Sequence, residues 1–539
     1  MTHNSSSTLR RCGVIAASAI VCMAMAVDVP AQRLTILHTN DTHSHIDPDD
    51  KGLGGILRRK VVIDSVRACD PYVRVIDAGD IVQGTLYFNL YKVEVENKMM
   101  NILGYDIRIL GNHEFDNGSE QLSENLRGSH ATLLSTNYDF SGPLAGMFQR
   151  YCIDTIGEKR VGFIALNLNP KGMVMEGSYD GVHYKDIIKS ANITAAYLKD
   201  VEGVDAVVAV THIGYSPDVE GLDALLAVTH IGYSPDGEGT IGDVDLAKAS
   251  KDIDVIIGGH SHDVIDPAHP KAGMPWRIAN ANGDSVLVAQ TGRYGVNIGR
   301  IVINLSDNNS TEYSLIPINA RLDNRVDREL EQSLEPYRHG VDSLMLVPTG
   351  RQAAIDLPAD GPQLLNFVSD FIYNRGNKLL SAKKLTKADF AIINKGGIRH
   401  DMAKGEITEG GLITMMPFTN YIQVVDIKGS DLMSVFDVMA STNGNGVSKG
   451  VDVVFDPQTK KTLSAKLNGK NIDPNKTYRV VTINYLAGGG DYMTGFTRGT
   501  IVASSKDKVF DELVDYVRND KFIPRRLNPD KTVRMHPVK

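Results

Sequence analysis

The sequence predicts a layered α/β protein that contains two α/β regions. Between residues 33 and about 320, short apolar runs alternate with stretches that favour helices, and a second region of the same kind covers about 350–539. Several of the apolar runs end in Asp, Asn or His, where open α/β sheets carry their chemistry. The 539 residues are 42% hydrophobic and 23% charged, which is a globular composition and excludes collagen, coiled coil and wholesale disorder.

The predicted strands of the first region are apolar runs rich in β-branched residues, and helix-favouring stretches separate these runs. They are RLTILHTND (33–41), VRVIDAGD (73–80), DIRILGNHE (106–114), VVAVTHIGY (207–215) and DIDVIIGGHSH (252–262). The second region has KADFAIINKGGIR (387–399), YIQVVDIKG (421–429) and TYRVVTINYLAGGGD (477–491). A charged, helix-favouring stretch at 323–345 separates the two regions and is interpreted as a helical linker or hinge.

The N-terminal segment 1–26 is typical of a secretory signal peptide. Arg10 and Arg11 precede an apolar run at 12–27, and Ala24-Met25-Ala26 forms a cleavage site of small residues. We therefore expect an exported protein, periplasmic, secreted or on the cell surface, and a short anchor helix is the alternative. Later apolar runs are too short to span a membrane, so no integral membrane span is expected in the mature chain. Cys69 and Cys152 would be its two cysteines, and their pairing is left open.

The formal net charge of −8 disfavours binding to a long nucleic acid polymer. An acidic protein can still bind one small anion through a metal ion or a few local cations. We therefore expect a small-molecule partner, while the sequence gives no oligomeric state.

A tandem duplication interrupts the first region. The decapeptide AVTHIGYSPD occurs at 209–218 and again at 227–236, so His212 and His230 hold equivalent positions. Two copies are too few for a solenoid. Since a single position in the sheet can hold one copy, the other copy must form a loop or an additional edge element.

The strand ends of the first region carry hard oxygen donors together with imidazoles. The candidate residues are Asp41, His43, Asp80, Asn112, His113, His212 or His230, His260 and His262. Such mixed donors suit Zn, Mn, Co or Fe better than a thiolate site would. We therefore predict two divalent metal ions, with Zn, Mn or Co expected. Asp80 lies between the other ligands in the chain and is the natural bridge between two ions.

The order of these motifs (D-x-H, G-D, G-N-H-E, a strand-end His and G-G-H-x-H) resembles the calcineurin-like metallophosphoesterases. With the second region, the chain is similar to secreted 5'-nucleotidases over essentially its whole mature length. The resemblance implies a four-layer α/β/β/α domain at 33–320 and an α/β nucleotide-binding domain at 350–539. It places Asp41, His43, Asp80 and His262 on one ion. Asp80, Asn112, His260 and one duplicated histidine would hold the other. The family's spacing to His260 favours His230 over His212.

The same resemblance makes His113 and Asp116 a catalytic pair. The Asp116 carboxylate would orient the imidazole of His113, which would stabilise charge or protonate the leaving oxygen. Related cyclic phosphodiesterases tend to carry Asn in place of Asp116, and a helix cap is the structural alternative for this residue. The expected mechanism is in-line attack on phosphorus by a metal-bound hydroxide.

In the second region the resemblance implies a nucleotide site formed by Asn394, Gly397, Arg399, Phe418, Asn420, Tyr485 and Asp491. Phe418 and Tyr485 would sandwich the base, and Asp491 would accept hydrogen bonds from the ribose. One departure is the segment DLPADGPQLLNFVSDF (356–371), which lacks an arginine that the family usually carries before this helix. Arg351 lies too far upstream, and Arg375 lies on the far side of the helix.

The expected activity is hydrolysis of nucleoside 5'-monophosphates, and of UDP-sugars or nucleoside di- and triphosphates as further substrates. One alternative is a 2',3'-cyclic-nucleotide 2'-phosphodiesterase with 3'-nucleotidase activity. Another is a nucleotide-binding protein without catalysis, which would follow if the duplication displaced both His212 and His230.

Overall fold

The structure, a computed structural model, describes residues 32–215 and 241–538. The predicted signal peptide and His230 lie outside these ranges. Within them, Cys69 and Cys152 are not joined to each other in a disulfide. Among the described helices, none is both long and apolar enough to cross a bilayer.

The predicted apolar runs form strands of the first region, and shorter strands lie between them in the chain. In chain order they are β1 (Arg33–Thr39), β2 (Val73–Asp77), β3 (Ile107–Arg108), β4 (Thr132–Leu133), β5 (Tyr138–Phe140), β6 (Tyr151–Ile156), β7 (Lys159–Asn167), β8 (Val182–Tyr184), β9 (Ala206–His212), β10 (Val255–Ile257), β11 (Arg277–Ala279), β12 (Ser285–Ala289), β13 (Asn297–Asn304) and β14 (Ser310–Pro317). The helices are α1 (Ile56–Arg67), α2 (Leu86–Tyr91), α3 (Glu94–Leu103), α4 (Gly118–Leu126), α5 (Ile187–Asp200) and α6 (Asp243–Ala249).

These strands form two main sheets. One has the order β14-β13-β1-β2-β3-β4 and the other the order β11-β12-β10-β9-β7-β6, while β5 and β8 form a separate ribbon. Pairing is parallel from β1 through β2 and β3 to β4, and from β7 through β9 and β10 to β12. The motif-bearing strands β1, β2 and β3 therefore end at one edge of the first sheet. Strands β9 and β10 end together in the second sheet.

Successive side chains along each strand point to opposite faces of the sheet, and this produces a layered core. On β1, the side chain of Ile36 packs with residues of β9 and β10 in one cluster. Leu37 packs with α1 and α3 in another cluster. Side chains of α5 and α6 join the cluster that contains the second sheet. The two sheets therefore face each other and have helices on their outer faces, which is the expected α/β/β/α arrangement.

The connector contains α7 (Arg328–Met345), preceded by a 3-10 turn at Ala320–Arg325. Asp327 caps this helix by accepting hydrogen bonds from the backbone of Glu329 and Leu330. Leu330 and Leu334 are buried in the α1–α3 cluster. The predicted linker helix therefore packs on the first region, and its role as a hinge remains a prediction.

The second region has strands β15 (Pro348–Ala353), β16 (Phe390–Ile393), β17 (Gly405–Thr408), β18 (Tyr421–Lys428), β19 (Gly446–Val447), β20 (Val451–Asp456), β21 (Lys461–Leu467), β22 (Lys470–Asn471), β23 (Thr477–Ile483), β24 (Thr500–Lys508), β25 (Arg526–Leu527) and β26 (Met535–Pro537). Its helices are α8 (Pro362–Ala382), α9 (Glu409–Met415), α10 (Gly429–Ser441), α11 (Asn484–Ala487) and α12 (Val509–Asn519). The central sheet has the order β19-β16-β23-β18-β24, and two smaller sheets have the orders β17-β15-β25 and β22-β21-β20-β26. The apolar faces of α8 and α10 belong to one core with this central sheet.

Candidate active site

A cavity of about 540 Å³ is lined by residues of both regions. Its wall includes the strand-end residues Asp80, Asn112, His113, His260 and His262. The opposite wall includes every residue predicted for the nucleotide site, namely Asn394, Gly397, Arg399, Phe418, Asn420, Tyr485 and Asp491. The structure therefore brings the two predicted sites together in one cavity.

One candidate metal cluster contains Asp41, His43 and His262, whose donor atoms all lie within 4.8 Å of one another. The Nε2 atoms of His43 and His262 are 3.0 Å apart. Nε2 of His262 is 3.4 Å from Oδ1 of Asp41. Since Nδ1 of His43 is 3.1 Å from the Val82 carbonyl oxygen, that nitrogen donates and Nε2 is the available donor to a metal.

The second cluster contains Asp80, His212 and His260. Nε2 of His212 is 3.2 Å from Oδ2 of Asp80, and Nδ1 of His212 donates to the Ala78 carbonyl at 2.8 Å. Nδ1 of His260 lies 2.9 Å from Oδ1 of Asn112, which places the predicted amide ligand at the same cluster. The geometry groups Asp80 with these histidines, and its role as a bridge to the first cluster remains a proposal.

Both clusters lie on strained turns. Asp41, His43, Asp80, His260 and His262 all have positive φ angles, between 45° and 79°. Residues with side chains rarely adopt this left-handed conformation, and such strain concentrates at functional sites. Gly111 supports this geometry because a Cβ atom there would lie 2.1 Å from Oδ1 of Asp80.

A carboxylate that was not assigned a role from the sequence, Glu114, holds the loop of the second cluster. Its Oε2 accepts hydrogen bonds from the backbone of Asp80 at 3.1 Å and of Gly111 at 2.6 Å, and Oε1 accepts one from Ile81 at 2.9 Å. Asn40 has a similar part at the first cluster, since its amide donates to Oδ2 of Asp41 at 2.6 Å. The contacts of Glu114 with Asp80 and Ile81 join positions 34 and 33 residues apart in the chain, so the motif spelling alone does not reveal them.

Burial and charge act in opposite directions on the titratable groups of the second cluster. Burial lowers the pKa of His212, but the charges of Asp80 and Asp41 and the hydrogen bonds to Asp80 and the Ala78 carbonyl together outweigh burial and raise it to about 10. Burial raises the pKa of Asp80, but His212, His113 and His43 together outweigh burial and lower that pKa well below its usual value. Burial lowers the pKa of His260 to about 3, so this imidazole is neutral. Because a metal ion binds neutral imidazole, an ion at this cluster would displace the proton that the neighbouring carboxylates keep on His212.

The donor set fits divalent cations. Each cluster combines one carboxylate with two imidazoles, and Nε2 of His212 is buried without a hydrogen-bond partner. Buried polar atoms are normally paired, so an unsatisfied imidazole nitrogen facing a carboxylate is expected where a cation binds. The residues present are those that Zn, Mn or Co would accept as ligands.

The duplicated histidines differ in what the structure shows. His212 ends β9 and lies in the second cluster, fully buried. The family spacing favoured His230, which lies outside the described residues. The geometry therefore makes His212 the candidate ligand and places the first copy of the repeat in the sheet.

The predicted catalytic pair is in contact. Nδ1 of His113 lies 2.9 Å from Oδ2 of Asp116, and the backbone N–H of His113 donates to Oδ1 of Asp80 at 2.9 Å. Burial lowers the pKa of His113, but the charges of Asp116 and Asp80 and the hydrogen bond to Asp116 together outweigh burial and raise it. Helix α4 begins at Gly118, and its N-cap residue Asn117 makes no side-chain capping hydrogen bond. The carboxylate of Asp116 contacts the imidazole of His113 and does not cap this helix.

The residues predicted for the nucleotide site form a network of their own. The amide of Asn394 donates to Oδ2 of Asp491 at 2.7 Å, and the hydroxyl of Tyr485 donates to Oδ1 at 2.7 Å. The ring of Phe418 stacks on His113 with centroids 5.5 Å apart, and the guanidinium carbon of Arg399 lies 4.9 Å from the Phe418 centroid. Gly397 and Asn420 line the cavity beside them.

The structure adds cavity residues for which the sequence analysis assigned no role. The backbone carbonyl of Met173, in the first region, is 3.1 Å from the Tyr485 hydroxyl. The side chains of Met173 and Met175 line the cavity, as does that of Arg293. These residues lie on loops with no ligand-type spacing, so no signal in the sequence indicated them.

Comparison with known proteins agrees with this fold. Residues 34–264 match the model of the calcineurin-like phosphoesterases, and residues 349–498 match the C-terminal domain of 5'-nucleotidases. The chain is therefore a phosphoesterase of the calcineurin-like class. Together the two matches show that it belongs to the two-domain 5'-nucleotidase family, and it is an enzyme of that family.

The three relatives described here are 27–28% identical to this chain over the aligned residues. A 5'-nucleotidase from Vibrio cholerae is 27% identical over 89% of this chain and 90% of its own length. A trifunctional nucleotide phosphoesterase, YfkN, from Bacillus subtilis is 28% identical over 87% of this chain, which spans 32% of that longer protein. Among solved structures, a 5'-nucleotidase precursor from Thermus thermophilus is 27% identical with a TM-score of 0.78, covering 94% of this chain and 99% of the other.

Proposed function

We propose that this protein is an exported, metal-dependent 5'-nucleotidase that converts nucleoside 5'-monophosphates into nucleoside and phosphate. One observation carries the proposal. A single cavity joins two clusters of carboxylate and imidazole donors to an aromatic, acidic pocket suited to a nucleoside. A phosphate at the clusters and a base near Phe418 and Tyr485 would occupy the two ends of that cavity. Export is proposed from the segment 1–26.

The proposed metal ligands are Asp41, His43 and His262 in one cluster and Asp80, Asn112, His212 and His260 in the other. Divalent ions bound there would supply Lewis acidity and an activated water for attack on phosphorus. Glu114 holds the backbone that carries Asp80, and Asn40 donates a hydrogen bond to the carboxylate of Asp41, so both residues support the proposed ligands.

His113 is proposed to act at the leaving oxygen. In the structure its Nδ1 hydrogen points to Asp116, and its Nε2 accepts a hydrogen bond from Arg399 at 2.9 Å. A phosphoryl oxygen placed between Arg399 and a protonated His113 would accept hydrogen bonds from both. The pair can therefore stabilise charge on the phosphoryl group and then protonate the departing ribose oxygen.

The nucleoside is proposed to lie between Phe418 and Tyr485, with its ribose hydroxyls on Asp491. Aromatic stacking tolerates different bases, so a preference for one base is not expected from these residues. Asn394, Gly397 and Asn420 would complete the pocket. UDP-sugars and nucleoside di- and triphosphates are proposed as further substrates.

The test is a comparison of substrates. Purified, metal-replete protein is given AMP, 2',3'-cyclic AMP and 3'-AMP in separate assays, and adenosine and phosphate are measured. We expect hydrolysis of AMP, with little turnover of the other two. Turnover of 2',3'-cyclic AMP and 3'-AMP without AMP would replace the proposal with the cyclic phosphodiesterase. Lack of turnover on any nucleoside 5'-monophosphate would overturn it.

A further inference from the structure

The cavity contains few cations that can reach a phosphate. The guanidinium of Arg351 donates hydrogen bonds to the backbone carbonyls of Val517 and Asp520, and that of Arg375 forms an ion pair with Asp515 at 2.6 Å. Both side chains therefore have partners outside the cavity. In the second region, Lys395 donates to the carbonyl of Thr442 at 2.5 Å, which leaves Arg399 as the guanidinium nearest the clusters. Arginine–phosphate contacts are charge-assisted and frequently bidentate, so a second guanidinium in the cavity would strengthen phosphate binding beside the metal ions.

Arg293 is a further cation in this cavity, and it comes from the first region. Its side chain is exposed and lines the cavity on the side of His262. Its guanidinium carbon lies 4.6 Å from the ring centroid of Tyr294. Such a cation–π contact holds the side chain without neutralising its charge.

The ring beneath Arg293 is itself fixed. Tyr294 has a φ of 65°, and its backbone N–H donates to the carbonyl oxygen of Asp41 at 2.7 Å. Its ring stacks on His45, with centroids 3.8 Å apart and planes 19° apart. Arg293 is therefore supported from the turn that carries the first metal cluster.

The hydrogen-bonding capacity of Arg293 is largely unused. Among the described residues, no ion pair with a carboxylate involves its guanidinium, and its one hydrogen-bond contact is between Nη1 and Nδ1 of His262, at 3.4 Å. Nε2 of His262 faces Asp41, so Nδ1 is the ring nitrogen turned towards the arginine. A histidine that offers Nε2 to a metal carries its hydrogen on Nδ1 and cannot accept from a guanidinium.

We propose that Arg293 binds the phosphate group of the substrate, as a specificity residue that the metal-binding region supplies. The inference rests on the proposed function. Ring contacts run from His262 to His43 at 5.1 Å, from His43 to His113 at 5.4 Å, and from His113 to Phe418 at 5.5 Å. Arg293 stands at the His262 end of this row and Phe418 at the other. It therefore contacts the phosphate and not the base, opposite Arg399.

The experiment measures binding of two product fragments by calorimetry: inorganic phosphate and adenosine, each added to metal-replete protein. The variants are Arg293→Ala and Arg293→Lys. Arg321→Ala is the matched control, because Arg321 is an exposed arginine of the same region that donates to the Pro317 carbonyl. For Arg293→Ala we expect phosphate to bind about tenfold more weakly, since a charge-assisted hydrogen bond is lost. Adenosine binding should stay unchanged.

Partial recovery of phosphate binding in Arg293→Lys would show that charge is the cause. Unchanged phosphate binding in Arg293→Ala would overturn the inference. An equal loss of phosphate and adenosine binding, or a loss of bound metal, would also overturn it, since Arg293 would then only support the turn. The proposed function is tested separately by AMP turnover in the unsubstituted protein, so the two failures are distinguishable.

Discussion

Nη2 of Arg399 lies 2.9 Å from Nε2 of His113, across the boundary between the two regions. The same arginine lies over Phe418, whose ring stacks on His113. The residue proposed to handle the leaving group is therefore in direct contact with the pocket proposed for the nucleoside. The proposed leaving-group residue and the proposed base-binding residue therefore share one arginine contact.

Asp116→Asn should lower kcat and narrow the pH range of activity. Burial lowers the pKa of His113, but Asp116 and Asp80 together raise it above its usual value, so the protonated imidazole persists to higher pH. Without the Asp116 carboxylate the pKa of His113 falls, since its charge and its hydrogen bond are both lost, and activity that needs the imidazolium should be lost at lower pH. A pH profile of kcat for AMP measures the shift. An alkaline limb at the same pH in both proteins would exclude this role for Asp116.

Glu114→Gln should weaken metal binding without removing a ligand. A glutamine can accept hydrogen bonds through only one oxygen, so it cannot hold the backbone of Asp80, Ile81 and Gly111 together as Glu114 does. Loss of such a supporting contact typically costs about 10- to 100-fold in metal affinity. Titration of metal-free protein with Mn²⁺ measures the change. The proposal for Glu114 fails if the two proteins bind the metal equally well.

His212→Ala should remove most of the metal bound at the second cluster, whereas His230→Ala should retain it. His212 is buried beside Asp80 and His260, and its Nε2 lies 3.2 Å from the Asp80 carboxylate. Metal content by mass spectrometry and AMP turnover would be measured for both variants. The reverse pattern would restore the ligand that the family spacing favoured, and near-normal values in both would end the assignment of a unique histidine.

Phe418→Ala should raise KM for AMP more than it raises KM for p-nitrophenyl phosphate, which has no base. Stacking contributes about 1–3 kcal/mol per base, so KM for AMP should rise roughly 5- to 150-fold. Phe418→Tyr keeps the aromatic face and is the matched control. Equal changes on both substrates would indicate that Phe418 acts through the His113 ring and not through the base.

The sequence predicted the layered fold and the residues at its strand ends. Both predictions rest on local properties, namely apolar runs that alternate with helix-favouring stretches and polar residues at the ends of those runs. The division of those strand ends between two facing sheets was not predicted, since strand order depends on pairing between distant segments. Asp41 and His262 meet only because strands β1 and β10 lie in opposed sheets. The sequence also predicted a base sandwich, and both Phe418 and Tyr485 line the cavity, but the sandwich itself remains a prediction.

Other parts of the site depend on contacts without a sequence pattern. Glu114 is one residue beyond a predicted ligand pair, yet its role appears only in its hydrogen bonds to Asp80 and Ile81. Arg293 carries no motif, and its position follows from the left-handed turn at Tyr294. The duplicated repeat offered equivalent histidines, and only the packing of β9 shows that His212 is buried at the site.

The most direct test of the central claim follows phosphate release from AMP while metal-free protein is titrated with Mn²⁺. The account predicts no release in the presence of EDTA, and activity that rises with added metal until two ions are bound per chain. Asp80→Asn, which removes one ligand charge, should stay inactive at the same metal concentrations. Full activity in EDTA, or a metal-saturated protein that leaves AMP intact, would contradict the account.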